Sequence, residues 1–323
     1  MILNQEPLLS ELPELHYATW AGENCATALA CTILQAYNKP FQWIFSDNWN
    51  FYYHSVEQIS AYESKHMNNP ILWNAHELFG MNLTVLQEKD FNCLLEKLPQ
   101  HKHLLISGES FYLPWCYGYQ TSRNDYHMFA VQNYDEWNQQ MLVWSIHHQG
   151  YVPVQIIKQS FERPGASAFA ITPPVKAIQD SVLLRQLQIT LDKIIGATTL
   201  NYTSGLKGLI TLKEHLAQAP TPSSAYAMLW FVQFKDIIRL KVSYIEFLHY
   251  LQQHETSPLY QSIPPELVRQ FMKAVSHFTA FRNILTKTVF NNSYSRVTVI
   301  RQLERAIEAE YECANMLEKY LLA

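Results

Sequence analysis

The chain changes texture at Thr172-Pro173-Pro174. Before it, apolar residues come in short runs of strand length, broken by Gly, Pro, Asn and Asp. Beyond it, apolar spacing is helical almost throughout. The pattern predicts helices over 176–195, 205–218, 222–252, 264–288 and 295–322, separated by Pro220, Pro222, Pro258, Pro264 and Pro265. In the last helix Ile300, Leu303, Ile307, Ala314, Leu317 and Leu321 keep a near-heptad spacing. Such a face packs inside a helical domain or against a second subunit, so a homo-oligomer stays open. No fixed period marks a solenoid. At 323 residues the chain is long for one core. The expected fold is α+β, with a mixed domain over 1–172 followed by an all-helical domain over 173–323.

Within the first half, residues 1–20 read as an extended lead-in interrupted by Pro7 and Pro13. Small or apolar residues at 25, 28, 29, 32, 33 and 36 then define a helix from Cys25 to about Tyr37, ending before Asn38-Lys39-Pro40. Gly22 supplies a bend and Asn24 caps the first turn. An aromatic segment, Phe41 to Tyr53, follows and reads mainly as core. Strands are expected at Leu83–Leu86 and His103–Ser107, with a helix over Asp90–Leu98 between them. Phe111-Tyr112-Leu113-Pro114-Trp115 is extended or a turn. His127 opens an apolar strand, Asp135-Glu136-Trp137-Asn138-Gln139 turns, and Met141–Ile146 returns as a hairpin. A further strand is expected at Ala168–Ile171.

Charge and cysteine usage narrow the classes. Lys and Arg total 24 against 28 Asp and Glu, a net charge of −4, which argues against nucleic acid as a partner. It leaves room for a small basic patch that receives an acidic carrier protein. Cysteines 25, 31, 93, 116 and 313 are scattered, without zinc-like spacing, so no metal is expected. The first fifteen residues carry three glutamates and no apolar core, and the apolar run Ala225–Val232 is too short to span a bilayer. These features point to a cytoplasmic protein without a membrane partner. His54, His66 and His76 lack regular spacing and read as surface or core residues. His147 and His148 are adjacent, so on a strand they face opposite ways and cannot share a metal. Cys31 is core, and Arg239 reads as an intradomain ion pair.

Cys25, at the positive end of a helix dipole that favours thiolate, and His127, at a strand start about a hundred residues later, form a Cys–His arrangement. Its order is that of papain-like enzymes: helix-borne cysteine, strand-borne histidine, then a polar residue on the next strand. That third residue would orient the imidazole. Asp135, Ser145 and His147 are the candidates. Trp49, Tyr52, Tyr112 and Trp115 are candidate pocket residues.

Gly22-Glu23-Asn24-Cys25-Ala26-Thr27-Ala28-Leu29 and the aromatic segment through Phe51-Tyr52-Tyr53 resemble the start of the butirosin-biosynthesis acyltransferase family, the BtrH-like proteins. Phe111-Tyr112-Leu113-Pro114 with His127 through Tyr134-Asp135 is similar to a second block of that family, and Ser204-Gly205-Leu206-Lys207-Gly208-Leu209 to a glycine-leucine segment near its C-terminus. The sequence departs from the pattern at Asn133, where the family-like turn has glycine, and at Asn24, where histidine is expected. The return strand also lacks the Asp or Asn that would orient the histidine.

The resemblance implies a papain-like cysteine-enzyme domain with a helical companion. It implies transfer of an acyl group from a carrier-protein thioester, presented on phosphopantetheine, through acyl-Cys25 to a small amine in specialised-metabolite (nonribosomal-peptide or antibiotic) biosynthesis. No bound cofactor is implied. Cys25 would be nucleophile, His127 general base, and the Asn24–Cys25 helix start the oxyanion region. The alternatives are a peptidase or thioesterase on the same dyad, or a non-catalytic interaction module.

Overall fold

The computed structural model describes residues 24–55, 58–61, 70–87, 90–101, 103–179, 181–218, 223–253, 263–291 and 293–322. The expected lead-in over 1–20, His66, Pro220, Pro222 and Pro258 lie outside them. In chain order the elements begin with α1 (Cys25–Ala36), β1 (Tyr52–Ser55), β2 (Gln58–Ser60), α2 (Pro70–Phe79), β3 (Asn82–Leu86) and α3 (Phe91–Lys97). Next come β4 (Leu104–Glu109), β5 (Tyr126–Asp135), β6 (Gln140–Ser145), β7 (His148–Pro153), α4 (Val154–Phe161) and β8 (Ser167–Thr172). The remainder is α5 (Ser181–Ile195), β9 (Thr203–Ser204), α6 (Gly205–Gln218), α7 (Ser224–Gln253), α8 (Pro265–Phe290) and α9 (Arg296–Leu322). The protein is mixed α+β, with two antiparallel sheets and a helical C-terminal region.

Two compact units result. One holds the described residues of Met1–Phe41 and Ala75–Ala177, the other those of Gln42–Asn74 and Ile178–Ala323. The expected single cut at 172 is therefore corrected: the aromatic segment from 42 to 74 belongs with the helices. The cause is packing. Trp43 meets Phe247 edge-on at 5.2 Å, Trp49 meets Phe271 at 4.5 Å, and Phe51 lies 6.2 Å from Phe234. The second unit is also not all-helical, because β2, β1 and β9 form a small sheet in that order.

The first unit is built on a six-stranded sheet in the order β3-β8-β4-β5-β6-β7. One face carries Leu104, Ile106, Phe129, Val131, Met141 and Val143, buried with Phe91 and Leu94 of α3 and Ile157 and Phe161 of α4. The alternate residues Leu105, Ala130 and Trp144 are buried on the opposite face, as the two-residue period of a strand requires. α1 packs along β5. It starts where predicted: the Asn24 side-chain oxygen accepts the N–H of Thr27 at 2.9 Å and its hydroxyl at 3.1 Å. Asn133 sits at φ +53°, where the β5–β6 register shifts. Asparagine tolerates this left-handed conformation better than most residues.

Several segments differ from expectation: β1, β2, β9 and the ten-residue α2 have no counterpart in the expected pattern, and three more depart from it. β7 and α4 are too short, at six and eight residues, to carry a clear periodic signal. The helix expected from 176 begins at Ser181 instead. Lys176 is engaged elsewhere, its amide on the Phe79 carbonyl at 3.0 Å and its ammonium on the Glu77 carbonyl at 3.2 Å.

In the second unit, α9 buries Val299, Leu303, Ala306, Cys313, Ala314 and Leu317 and packs on α8, α5 and α6; of the heptad-like face, Leu303, Ala314 and Leu317 are buried and Ile300, Ile307 and Leu321 half-buried. Gly205 has φ +55°, and a Cβ there would stand 2.3 Å from the Lys193 carbonyl. Arg239 pairs with Asp236 at 3.5 Å, one turn away. At the centre, Lys241 and Glu310 form an ion pair whose side chains are 2% and 3% exposed. The Trp49 indole donates to the second Glu310 oxygen at 2.7 Å, and the Lys241 ammonium lies 3.9 Å from the Trp49 ring. Burial pushes the lysine toward neutrality, and Glu310 opposes that.

A buried cation with one carboxylate partner makes that carboxylate costly to remove. Glu310→Ala is expected to destabilise the protein by about 3–5 kcal/mol, measured by chemical denaturation, because it strands both Lys241 and the Trp49 N–H.

Candidate active site at the open end of strand β5

β5 outruns one of its neighbours. β4 follows it to the Glu109–Tyr126 pair, whereas pairing with β6 starts only at Ala130–Trp144. Successive residues of an antiparallel strand send their amides to opposite edges. The Ser110 amide on the Asp125 carbonyl sets the phase, turning His127 to β4 and Met128 away from it. At that open edge the Met128 amide donates to Cys25 Sγ at 3.4 Å. The first residue of α1 is thereby fixed beside the backbone that carries His127.

His127 is held from behind. Its Nε2 lies 2.7 Å from the hydroxyl of Ser145, the last residue of β6, which is 4% exposed. With Nε2 engaged, Nδ1 is the nitrogen left to exchange a proton. The exposed His147 stacks on the His127 ring at 6.1 Å and 23°, and Tyr117 meets His147 edge-on at 5.6 Å. Burial lowers the His127 pKa to about 4; the His147 charge adds to this and Asp125 opposes it. The imidazole is consequently neutral at neutral pH.

A second pair lies on the same face. Ser145 pairs across the ladder with His148, on which Trp115 stacks at 4.9 Å and 18°; Trp115 also meets Phe129 edge-on at 5.8 Å. Next to it, burial pushes the Cys116 thiol up to about 12, with Cys25 and Asp125 adding to the shift.

The structure separates the three candidates for the orienting residue. Ser145 touches His127. His147 stacks on it without a hydrogen bond. Asp135 stands eight residues along β5, about 26 Å of extended chain, and accepts the Asn138 amide at 3.0 Å and its side-chain N–H at 2.7 Å. Asp135 is thus corrected to a turn residue.

The four pocket candidates divide between the two units. Trp49 and Tyr52 lie in the second unit, with Trp49 1% exposed. Tyr112 is clamped in the first unit, its hydroxyl accepting from Arg123 at 3.2 Å and its ring 4.4 Å from the Arg163 guanidinium. Of the two in the first unit, Trp115 joins the cluster around His127. At the helix start, Asn24 is a cap. The Thr27 and Ala28 amides are taken by its side chain and carbonyl, leaving those of Cys25 and Ala26 with no acceptor inside the helix. Sequence reasoning missed His148 and Tyr117, whose contacts are purely tertiary, and the Met128 amide, which has no residue-type signal.

Among the described residues no group of three His, Cys, Asp or Glu could hold a metal ion, and no helix is long and apolar enough to cross a membrane. No protein-family model and no curated protein matches the chain.

His127 binds its proton less readily folded than unfolded, so protein stability is lost as pH falls from about 6.5 toward about 4. His147→Gln removes a like charge and is expected to raise the His127 pKa while burial still holds it below 6.5. An imidazole titration by NMR reads both values.

Proposed function

We propose that the chain is a cysteine acyltransferase with a papain-like first unit, moving an acyl group from a carrier-protein thioester through acyl-Cys25 to an amine. The supporting observation is the seating of Cys25 Sγ on the Met128 amide, one residue from a His127 that Ser145 holds by Nε2. Cys25 attacks the thioester carbonyl while His127 Nδ1 takes its proton. The C–S bond of the donor breaks and the departing thiolate receives that proton. An amine then attacks the acyl-cysteine, His127 takes a proton from it, and Cys25 leaves as a thiol. The Cys25 and Ala26 amides at the helix start are the donors available to the oxyanion.

The resemblance supplies the carrier thioester and the amine. At neutral pH His127 is unprotonated and open to a proton in both steps, and its depressed pKa makes it a weaker base than an ordinary imidazole. Water in place of the amine would make the same dyad a hydrolase.

Intact mass of the protein after exposure to acyl-carrier thioesters tests this reading. A Cys25-dependent adduct that passes to added amines is expected, and Cys25→Ala should show none. Ser145→Ala should slow adduct formation on the order of tenfold to a hundredfold by letting the ring swing. Release only as free acid would replace transfer by hydrolysis, and absence of any adduct across a panel of carriers would end the catalytic reading.

A further inference from the structure

Two buried nitrogen atoms beside the candidate dyad have no hydrogen-bond partner among the described residues. Trp115 Nε1 and His148 Nε2 are shut off from solvent without a hydrogen bond, although their rings stack at 4.9 Å. A native fold seldom leaves such atoms unsatisfied unless something else meets them. Their place is informative. His148 is the ladder partner of Ser145, which holds His127, and Trp115 rests on Phe129, two residues along β5 from His127 on the same face. Cys116, the neighbour of Trp115, feels the charge of Cys25, so the pair lies near the thiol as well as near the histidine.

The chemistry of the atoms selects a ligand. An indole N–H only donates, and a neutral imidazole with its proton on Nδ1 accepts at Nε2. A chain that offers a carbonyl to one and an N–H to the other is an amide-bearing chain. Hydrocarbon would bury both atoms and satisfy neither. We propose that Trp115 and His148 form an amide-recognition subsite for the acyl donor, Trp115 donating to an amide carbonyl and His148 Nε2 accepting an amide N–H. This rests on the acyltransferase reading of Cys25. The amide has two sources, the arm on the thiol side of the thioester or a peptide-like acyl group on the other side.

Three small donors separate these sources. Hexanoyl N-acetylcysteamine carries its amide on the thiol side, N-acetylglycyl pentanethiol carries it on the acyl side, and hexanoyl pentanethiol has none. Trp115→Phe and His148→Phe keep the stacked rings and delete one nitrogen each; circular dichroism confirms that each variant folds. Each variant is expected to lower the ratio of kcat/KM for an amide donor over the amide-free donor about three- to tenfold, the size of one neutral hydrogen bond. The donor whose ratio falls names the side on which the amide lies. Ratios equal to the parent's in both variants, with Cys25 still acylated, overturn the subsite and leave the dyad standing. No acylation of the parent by any donor overturns both.

Discussion

An antiparallel strand that extends past its neighbour exposes backbone donors, and the candidate site is organised around one of them. β6 stops at Ser145 while β5 continues back to Tyr126, so the Met128 amide has no strand partner on that edge. Cys25 meets that need with a sulfur acceptor. The same strand end thus sets three things at once: where α1 begins relative to the sheet, which edge the thiol occupies, and which residue precedes Met128. A longer β6 would give the amide a carbonyl and displace the sulfur.

The end of β6 has a second consequence. Only Ile146 and His147 separate β6 from β7, so Ser145, His147 and His148 are presented together at one hairpin tip. Ser145 reaches His127, His147 stacks on it, and His148 carries Trp115. Three contacts that are scattered in chemistry share one backbone turn. The local environment that orients the imidazole also lowers its basicity, because burial and the neighbouring ring act in the same direction.

Much of this architecture was legible in the sequence. Long helical periods gave α6 to within a residue and α7, α8 and α9 to within two, and the Asn24 cap and the β5–β6 hairpin followed from local chemistry. The neighbourhood of Cys25 and the strand that carries His127 was legible as an order of residue types. The third contact was legible only as a choice among three residues, because Asp135 and Ser145 differ in position along the ladder and not in any local pattern. The aromatic segment misled for a related reason: Trp49 and Tyr52 have the composition of a pocket, but Trp49 packs on helices about two hundred residues later and Tyr52 on Tyr202 and strand β9. The open Met128 amide was beyond reach, since it depends on where a different strand stops.

The division of the chain carries a consequence for synthesis. The first unit is interrupted between Phe41 and Ala75 by residues that belong to the second, and the second cannot bury Trp49 until Glu310 has been made. A growing chain therefore holds a run of large aromatics without their partners for most of its translation. Segments in that condition are prone to associate with one another. The late arrival of these partners makes the aromatic run a liability of the growing chain that packing removes from the finished molecule.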